Sequence, residues 1–179
     1  MRKLVSLLGF LVIVSLALPR SAHAQKAELF GGYSYVRFNS SPGGQNSKST
    51  TNFNGWNASL DVNTFKFLGF KADFGGTYTS PFGVSTHLYT FLFGPQLNLP
   101  TPFVSPFVHA LFGGARLGSS AGGVSASSTS FASAIGGGID VHPLPLVGLR
   151  LIQADYLTTH FAGTRQNNIR ISAGIVLRF

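Results

Sequence analysis

The chain has 179 residues, enough for a single domain, and it carries 13 Lys and Arg against 5 Asp and Glu, a formal net charge of +8. Only 10% of its residues are charged, against about 25% in an average soluble domain, while 13% are aromatic. The absence of cysteine excludes a disulfide-stabilised scaffold, and beyond the first 24 residues the cations are scattered singly, which argues against a nucleic-acid partner.

The N-terminal segment has the pattern of an export signal. A charged start is followed by a mostly apolar run to Leu18, and the sequence AHA at 22–24 is typical of a cleavage site. We therefore predict a cleaved signal peptide at 1–24 and a mature domain at 25–179, the alternative being an uncleaved anchor helix. No later apolar run is long enough for a spanning helix, so few charges and many aromatic residues favour strands that cross lipid.

Alternating apolar and polar residues predict eight strands. The clearest alternation begins at Trp56, where apolar residues occupy the even positions and polar residues the odd ones. A membrane strand of roughly 9–11 residues alternates in this way, with its apolar side chains toward lipid. The phase of the seventh strand slips near Ile152 and Gln153, which predicts a β-bulge there. In chain order the predicted strands are 27–38, 55–64, 68–79, 86–97, 105–117, 130–142, 147–159 and 169–179.

The connections between these strands alternate in length. Shorter links follow the even-numbered strands, and longer polar stretches follow the odd-numbered ones, at 39–54, 80–85, 118–129 and 160–166. This alternation predicts a closed antiparallel eight-stranded transmembrane β-barrel, with outer loops at one end and tight turns and both termini at the other. Because every backbone N–H and C=O must pair inside lipid, the last strand should pair with the first. Pro95 and Pro106 are expected near strand ends.

At this point the chain resembles a known family. The sequence GGYSYVRF at 31–38, the eight alternating strands and the ending VLRF are similar to those of small bacterial outer-membrane β-barrel proteins, typified by the transmembrane domain of outer membrane protein A and its small relatives. The resemblance implies localisation in the cell outer membrane, contact with outer-membrane lipid and a monomeric state. It also implies that Phe179 is part of a C-terminal insertion signal, recognised by the barrel assembly machinery.

The charged residues within the strands predict a polar lumen. All five acidic residues lie in predicted strands, and the alternation turns them inward together with several cations, of which Arg116 is the least certain by phase. A Lys or Arg facing lipid at mid-bilayer costs about 2–4 kcal/mol, so strand charges should face the lumen and pair there. The predicted lumen charge network consists of Glu28, Asp61, Lys71, Asp73, Asp140, Arg150, Asp155, Arg170 and Arg178.

Two interpretations of this network remain open. An eight-stranded barrel is barely wide enough for its own side chains, so the first is a plug of salt bridges that fills the lumen. The second is a narrow gated conduit, in which alternative pairings open a polar path for small solutes. A soluble exported lipocalin-like barrel is the alternative fold, but it would turn the apolar residues inward and the strand charges outward.

Few residues of the sequence are candidates for catalysis or for binding a metal or a phosphate. Ser85 and His87 share one face at the outer rim, as a lipid-modifying hydrolase would need, but the nearest acids that could orient His87 are predicted inside the lumen. The histidines are spread over separate strands and lack metal-ligand spacing, and neither glycine run opens a phosphate-binding loop, so we predict no metal, no cofactor and no catalytic residue. The large polar aromatics are interpreted as membrane-interface residues: Tyr33, Tyr35, Trp56, Tyr78, Tyr89 and Tyr156.

The sequence therefore favours a protein that is not an enzyme and that has a structural or surface-interaction role. Outer loops rich in Gly, Ser, Asn and Thr, with isolated cations at Lys48 and Arg165, would make the contacts. The alternatives are the narrow pore and, third, the lipid-modifying enzyme.

Overall fold

The computed structural model describes residues 26–40, 49–65, 67–80, 84–99, 101, 103–122, 124–161 and 164–179. The predicted signal peptide at 1–24 lies outside the described residues. No helix long and apolar enough to cross a membrane is found in the described part of the chain.

Eight strands form one closed antiparallel barrel, in which each strand pairs with the next in sequence and β1 pairs with β8. The fold class predicted from the alternation is confirmed. At the seam between β1 and β8, Phe179 and Ala27 exchange backbone hydrogen bonds, so the last residue of the chain is held against the first strand. The strands are β1 Lys26–Ser40, β2 Ser49–Asn63, β3 Leu68–Thr79, β4 Ser85–Asn98, β5 Val104–Ala121, β6 Val124–Val141, β7 Val147–Phe161 and β8 Thr164–Arg178.

We call the end of the barrel at Lys26 and Arg178 the terminal end and the opposite end the loop end. The largest difference from the prediction lies at the loop end, where the predicted loop 118–129 is wrong. β5 and β6 each run for 18 residues and continue to pair through this segment as far as Ala121 and Val124. Backbone pairing needs no apolar side chain, and Gly122, at φ 55°, takes the left-handed conformation that a tight turn requires. The predicted loops 39–54 and 160–166 are shortened in the same way.

The predicted irregularities lie close to where the sequence places them. The register shifts between Arg150 and Gln153 of β7, and the two intervening residues, Leu151 and Ile152, both face outward. This is the β-bulge, and it restores the inward phase for the rest of the strand. Pro106 lies near the start of β5, and Pro95 lies in β4 where the pairing with β5 is interrupted.

The interior has two layers, of which the sequence predicts only one. Charged side chains fill the half nearer the terminal end, whereas an apolar layer fills much of the half nearer the loop end. Val36 and Phe30 interrupt the apolar–polar alternation of the β1 sequence, yet both are inward and buried, since the narrow interior must be packed with side chains of some kind. The apolar layer consists of Val36, Phe38, Phe53, Leu88, Leu92, Leu111, Ala115, Ala132, Ala134, Leu157 and Phe161.

Candidate functional site: the charged lumen

The site predicted from the sequence is the group of charged residues inside the barrel, and the structure turns all nine toward the lumen. Eight of them are buried, and Arg178 is half-buried at the terminal end. The chain has five acidic residues in total, so none is left for its outer surface. The inward orientation considered for Arg116 is wrong. Its side chain faces outward, because the inward positions of β5 are the odd ones, including Phe107, His109 and Leu111.

Arg150 lies at the centre of the charged contacts in the part of the lumen nearer the terminal end. Its Nε and Nη2 donate to the two carboxylate oxygens of Asp140 at 2.8 and 2.9 Å, a bidentate pair, and Nη2 also lies 3.5 Å from Asp61. Lys71 donates from Nζ to Asp61 at 3.0 Å and to Ser59 at 2.9 Å. These contacts join β2, β3, β6 and β7 across the lumen.

Two aromatic rings enclose the same guanidinium. The Cζ of Arg150 lies 4.3 Å from the ring centroid of Phe30 and 4.3 Å from that of Phe107. Lys71 Nζ lies 5.3 Å from the Phe107 ring as well. Both distances for Arg150 fall in the range of cation–π attraction, which strengthens when the groups are shielded from water. Arg150 is therefore held by carboxylates and by two aromatic rings.

A second cluster is centred on Arg170. Its Nη1 lies 2.6 Å from Asp73, and its Nε and Nη2 lie 2.8 and 2.7 Å from Asp155. His109 Nε2 lies 2.9 Å from the other oxygen of Asp155. Gln153 joins the two clusters, because it accepts from Arg150 at 2.7 Å and donates to Asp155 at 2.8 Å.

The remaining predicted pair lies at the closing seam. Arg178 of β8 donates from Nε to Glu28 of β1 at 3.0 Å, and these two residues are direct partners in the register. The side chain of Arg178 is 20% exposed, so solvent weakens this pair relative to the buried ones. It complements the backbone pairing that closes the barrel.

The charges of the lumen nearly balance. Five carboxylates face four cations, Lys71, Arg150, Arg170 and Arg178, and His109 lies against Asp155. Removing such groups from water is unfavourable unless each is paired and hydrogen-bonded. Every carboxylate has at least one positively charged partner, although Asp73 Oδ2 is buried without a hydrogen bond. Removing one member of a buried pair would leave its partner with fewer opposite charges in the interior, which favours the single arrangement observed.

His109 and Gln153 also belong to the network, and the sequence analysis did not include them. Both lie at inward positions of strands whose alternation was interrupted, β5 by Pro106 and two glycines and β7 by the bulge. Beyond the bulge the period-two pattern turns Gln153 inward, and the unbroken register of β5 keeps His109 on the same inward face as Phe107 and Leu111. No group of three or more potential metal-ligating side chains occurs in the part of the chain that the structure describes.

The candidate hydrolase pair, Ser85 and His87, has no Asp or Glu side chain beside it. Ser85 is exposed at the start of β4, and His87 packs on the outer surface against the ring of Tyr89, with centroids 5.3 Å apart. Asp73 and Asp155 are held in the Arg170 cluster on the inner face of the wall. An imidazole on the lipid side therefore has no carboxylate to orient it for proton transfer.

The predicted interface aromatics all face outward. Tyr33, Trp56, Tyr78 and Tyr156 are exposed, and Tyr35 and Tyr89 are partly exposed. Phe179 is 72% exposed at the terminal end, and its backbone pairs with Ala27. The insertion signal assigned to Phe179 stays a prediction, as does its recognition by an assembly machinery.

Comparison with known proteins gives a family match and several similar folds. The model of the outer membrane protein beta-barrel domain matches residues 8–179. No curated protein sequence matches the chain. The crystal structure of Neisserial surface protein A, NspA, is similar with a TM-score of 0.67 and 18% identity, over 86% of this chain and 97% of that one.

Two further crystal structures share the architecture. Ail, the attachment invasion locus protein of Yersinia pestis, has a TM-score of 0.59 and 18% identity, over 87% of this chain and 100% of its own. The N-terminal β-barrel domain of OprF from Pseudomonas aeruginosa has a TM-score of 0.56 and 11% identity, over 87% and 98% of the two chains. At such identities the likeness concerns the fold.

Proposed function

The chain belongs to the outer membrane protein beta-barrel domain family, and from this we propose that it is a non-conducting barrel with a structural and surface-interaction role. Membership confirms the resemblance inferred from the strand pattern and implies an outer-membrane location. The finer role, a closed membrane scaffold that presents contacts at its loop end, is our proposal.

The observation that carries the proposal is the two-layer interior. A solute entering from the terminal end meets Arg150 and Arg170, each fixed by two carboxylates. Beyond them lies the apolar layer, where Leu92, Leu111 and Leu157 are fully buried. An ion would have to break buried ion pairs and then cross a narrow apolar constriction, which excludes water as well as charge. Two barriers of different chemistry in series favour a plug over a conduit.

The length of the β5–β6 hairpin supports the surface-interaction part. A tilted strand needs roughly 9–11 residues to cross the bilayer, and these strands have 18 each. The surplus lies at the loop end, where residues 125–129 are small, mostly polar and exposed. NspA is described as a surface protein and Ail as an attachment protein, and we propose that this hairpin is the corresponding contact surface here. Contact with the assembly machinery through β8 is proposed on the same family grounds.

Single-channel recording in planar bilayers tests the closed lumen. We expect no discrete openings from the refolded mature chain, and none from Arg150→Ala, because the apolar layer remains in place when the charge layer is weakened. The combined variant Arg150→Ala, Leu92→Ser, Leu111→Ser should open a small conductance, since both layers are then interrupted. Insertion is checked for every sample by the gel mobility of unheated protein.

The recordings also separate the alternatives. Discrete openings in the wild-type chain would overturn the plug and favour the narrow pore. Openings in Arg150→Ala alone would show that the charge network gates a path and that the apolar layer does not seal it.

A further inference from the structure

The turns at the terminal end of the barrel expose apolar side chains. They join β2 to β3, β4 to β5 and β6 to β7, at 64–67, 99–103 and 142–146, and we call them the terminal turns. By sequence, Lys66 is their only Lys, Arg, Asp or Glu. Turns in water are usually rich in Gly, Asn, Asp and Ser, none of which occurs in these three. They carry large apolar residues instead, each at least half exposed: Phe65, Phe67, Leu99, Phe103, Leu144 and Leu146.

Backbone hydrogen bonds connect each terminal turn to the next part of the rim. In each bond a carbonyl oxygen of a turn accepts from an N–H of the neighbouring turn or strand end. The bonds run from Asn98 N to Phe67 O at 2.8 Å, from His142 N to Phe103 O at 2.9 Å, and from Arg178 N to Leu146 O at 3.0 Å. With the pair formed by Phe179 and Ala27, they continue the backbone pairing of the wall around most of the rim.

The second and third terminal turns also contain few backbone donors. By sequence, proline occupies alternate positions in both turns, and proline has no N–H: Pro100, Pro102, Pro143 and Pro145. Leu99 N donates to Pro106 O at 2.9 Å, and Thr101 Oγ1 accepts from Val104 N at 3.2 Å. Backbone polar groups must be paired within the protein where no water is available, so a turn built in this way suits apolar surroundings.

An apolar recess of about 300 Å³ opens beside the first two terminal turns. Among the residues that line it are Phe67 and Leu99 of the turns, Leu97 of β4, and Pro106 and Val108 of β5. An apolar recess offers water few polar partners, whereas a lipid acyl chain matches its polarity. The composition of this recess therefore also favours lipid over water at the terminal end.

The aromatic residues typical of a membrane interface occur on one side only. Outer-membrane barrels commonly carry aromatic girdles at both interfaces, and their short turns lie beyond the girdle. Here the five tyrosines and Trp56 all lie at the middle of their strands or nearer the loop end. The terminal end has exposed Phe and Leu in place of a second ring of Tyr and Trp.

The height of the wall places the terminal turns at the edge of the apolar band. From Tyr89 to Leu99 the chain advances ten residues, which at about 3.3 Å per residue and a tilt of about 40° is roughly 25 Å along the barrel axis. The apolar band of an outer-membrane barrel is about 25 Å tall. If Tyr89 marks the interface at the loop end, Leu99 lies where acyl chains meet head groups in the opposite leaflet. The outward residues of β4 between them are all exposed and apolar: Phe91, Phe93, Pro95 and Leu97.

We propose that the terminal turns are embedded in the inner leaflet of the outer membrane, with their Phe and Leu side chains among the acyl chains of glycerophospholipids rather than in water. The terminal end is the periplasmic end, as expected for the end with the tight turns. The mouth of the lumen at this end then opens at the level of the lipid head groups, and the turns present little surface to a soluble periplasmic partner. The proposal rests on the outer-membrane location and not on whether the lumen conducts.

Depth-dependent quenching of tryptophan fluorescence tests the proposal. Trp56 is the only tryptophan, so Trp56→Phe gives a silent background into which one probe is introduced. Phe103→Trp and Leu144→Trp place probes in two different terminal turns. The controls are Phe112→Trp on the lipid-facing wall and Ser127→Trp on the exposed β5–β6 hairpin. Each variant is refolded into lipid nanodiscs, which leave both faces of the bilayer open to water, and insertion is checked by the gel mobility of unheated protein.

The expected quenching differs between the probes. Phosphatidylcholine brominated near the glycerol end of its acyl chains should quench both turn probes several-fold more strongly than aqueous iodide does. Bromines near the chain ends should be the more effective position for Phe112→Trp only. Ser127→Trp should respond to iodide and hardly to brominated lipid.

Two results would overturn the proposal. If the turn probes respond as Ser127→Trp does, the terminal turns lie in water. If neither quencher reaches the turn probes, protein and not lipid covers the rim, and a second copy of this chain is the cover if the shielding disappears at one chain per nanodisc.

Discussion

Replacing Arg170 by methionine should lower the free energy of unfolding by about 3–5 kcal/mol, because it leaves two buried carboxylates without their shared cation. Arg170 contacts both Asp73 and Asp155 and is almost completely buried. Methionine keeps most of the length and apolar bulk of the side chain, so the loss reports the charge contacts more than the packing. Urea unfolding of the barrel in phospholipid vesicles, followed by Trp56 fluorescence, measures the change.

Arg165→Met is the matched control. It lies on the same strand, but it is exposed and its Nε donates to the side chain of Asn167 at 3.1 Å, so its replacement should change the unfolding free energy by less than about 0.5 kcal/mol. Adding Asp155→Asn to Arg170→Met should recover part of the loss, because one isolated carboxylate is then removed. Equal effects of the two arginine variants would contradict a lumen held by buried ion pairs.

The second large effect is expected in the apolar layer. Leu92 of β4 is fully buried beside Asp73 in the register, at the border between the two layers of the lumen. Leu92→Ala should lower the free energy of unfolding by about 2–5 kcal/mol, since a rigid closed wall cannot collapse around the cavity. The same urea titration measures it.

Leu97→Ala makes the same chemical change five residues along β4, on the lipid-facing side. Leu97 is 53% exposed, and lipid chains can fill the space that its truncation leaves. We expect it to cost less than half as much as Leu92→Ala. If Leu97→Ala were the more destabilising of the two, the assignment of the inner and outer faces of β4 would be wrong.

Much of this architecture can be predicted from the sequence, because the bilayer restricts which side chains can face lipid and which backbone groups can stay unpaired. The alternation that starts at Trp56 and the inward phase of Asp61, Asp73 and Asp140 follow from the penalty on charge in lipid. Closure follows from the need to pair every backbone group, which joins Glu28 on the first strand to Arg178 on the last. Because the chain has only five acidic residues and all of them lie in predicted strands, their inward positions are easy to identify.

The apolar layer was missed because it leaves no alternation to detect. On β1, Tyr33 and Tyr35 face outward while Val36 and Phe38 face inward, so aromatic or apolar side chains occur on both faces. The same holds on β4, where Leu88 and Leu92 interleave with Tyr89 and Phe91. Period two distinguishes the faces only when one of them is polar.

The extent of the strands was underestimated for a related reason. Beyond the membrane both faces of a hairpin are solvated, so segment 118–129 has the composition of a loop while its backbone pairs as a ladder. Which ion pairs form was also beyond the sequence. Asp73 and Arg170 lie 97 positions apart, and only the stagger of the closed sheet brings them together.

The central claim is that the interior is closed to water, and thiol accessibility tests it most directly because the chain contains no cysteine. Ser34, at the middle of β1, is fully buried in the lumen beside Ser172, whereas Ser127 is exposed on the β5–β6 hairpin. In vesicles, a small charged thiol reagent should modify Ser127→Cys within minutes and leave Ser34→Cys unmodified for hours, and both should react in urea. Rapid modification of Ser34→Cys in the inserted barrel would mean that water and ions reach the mid-lumen, and the plug would have to be abandoned.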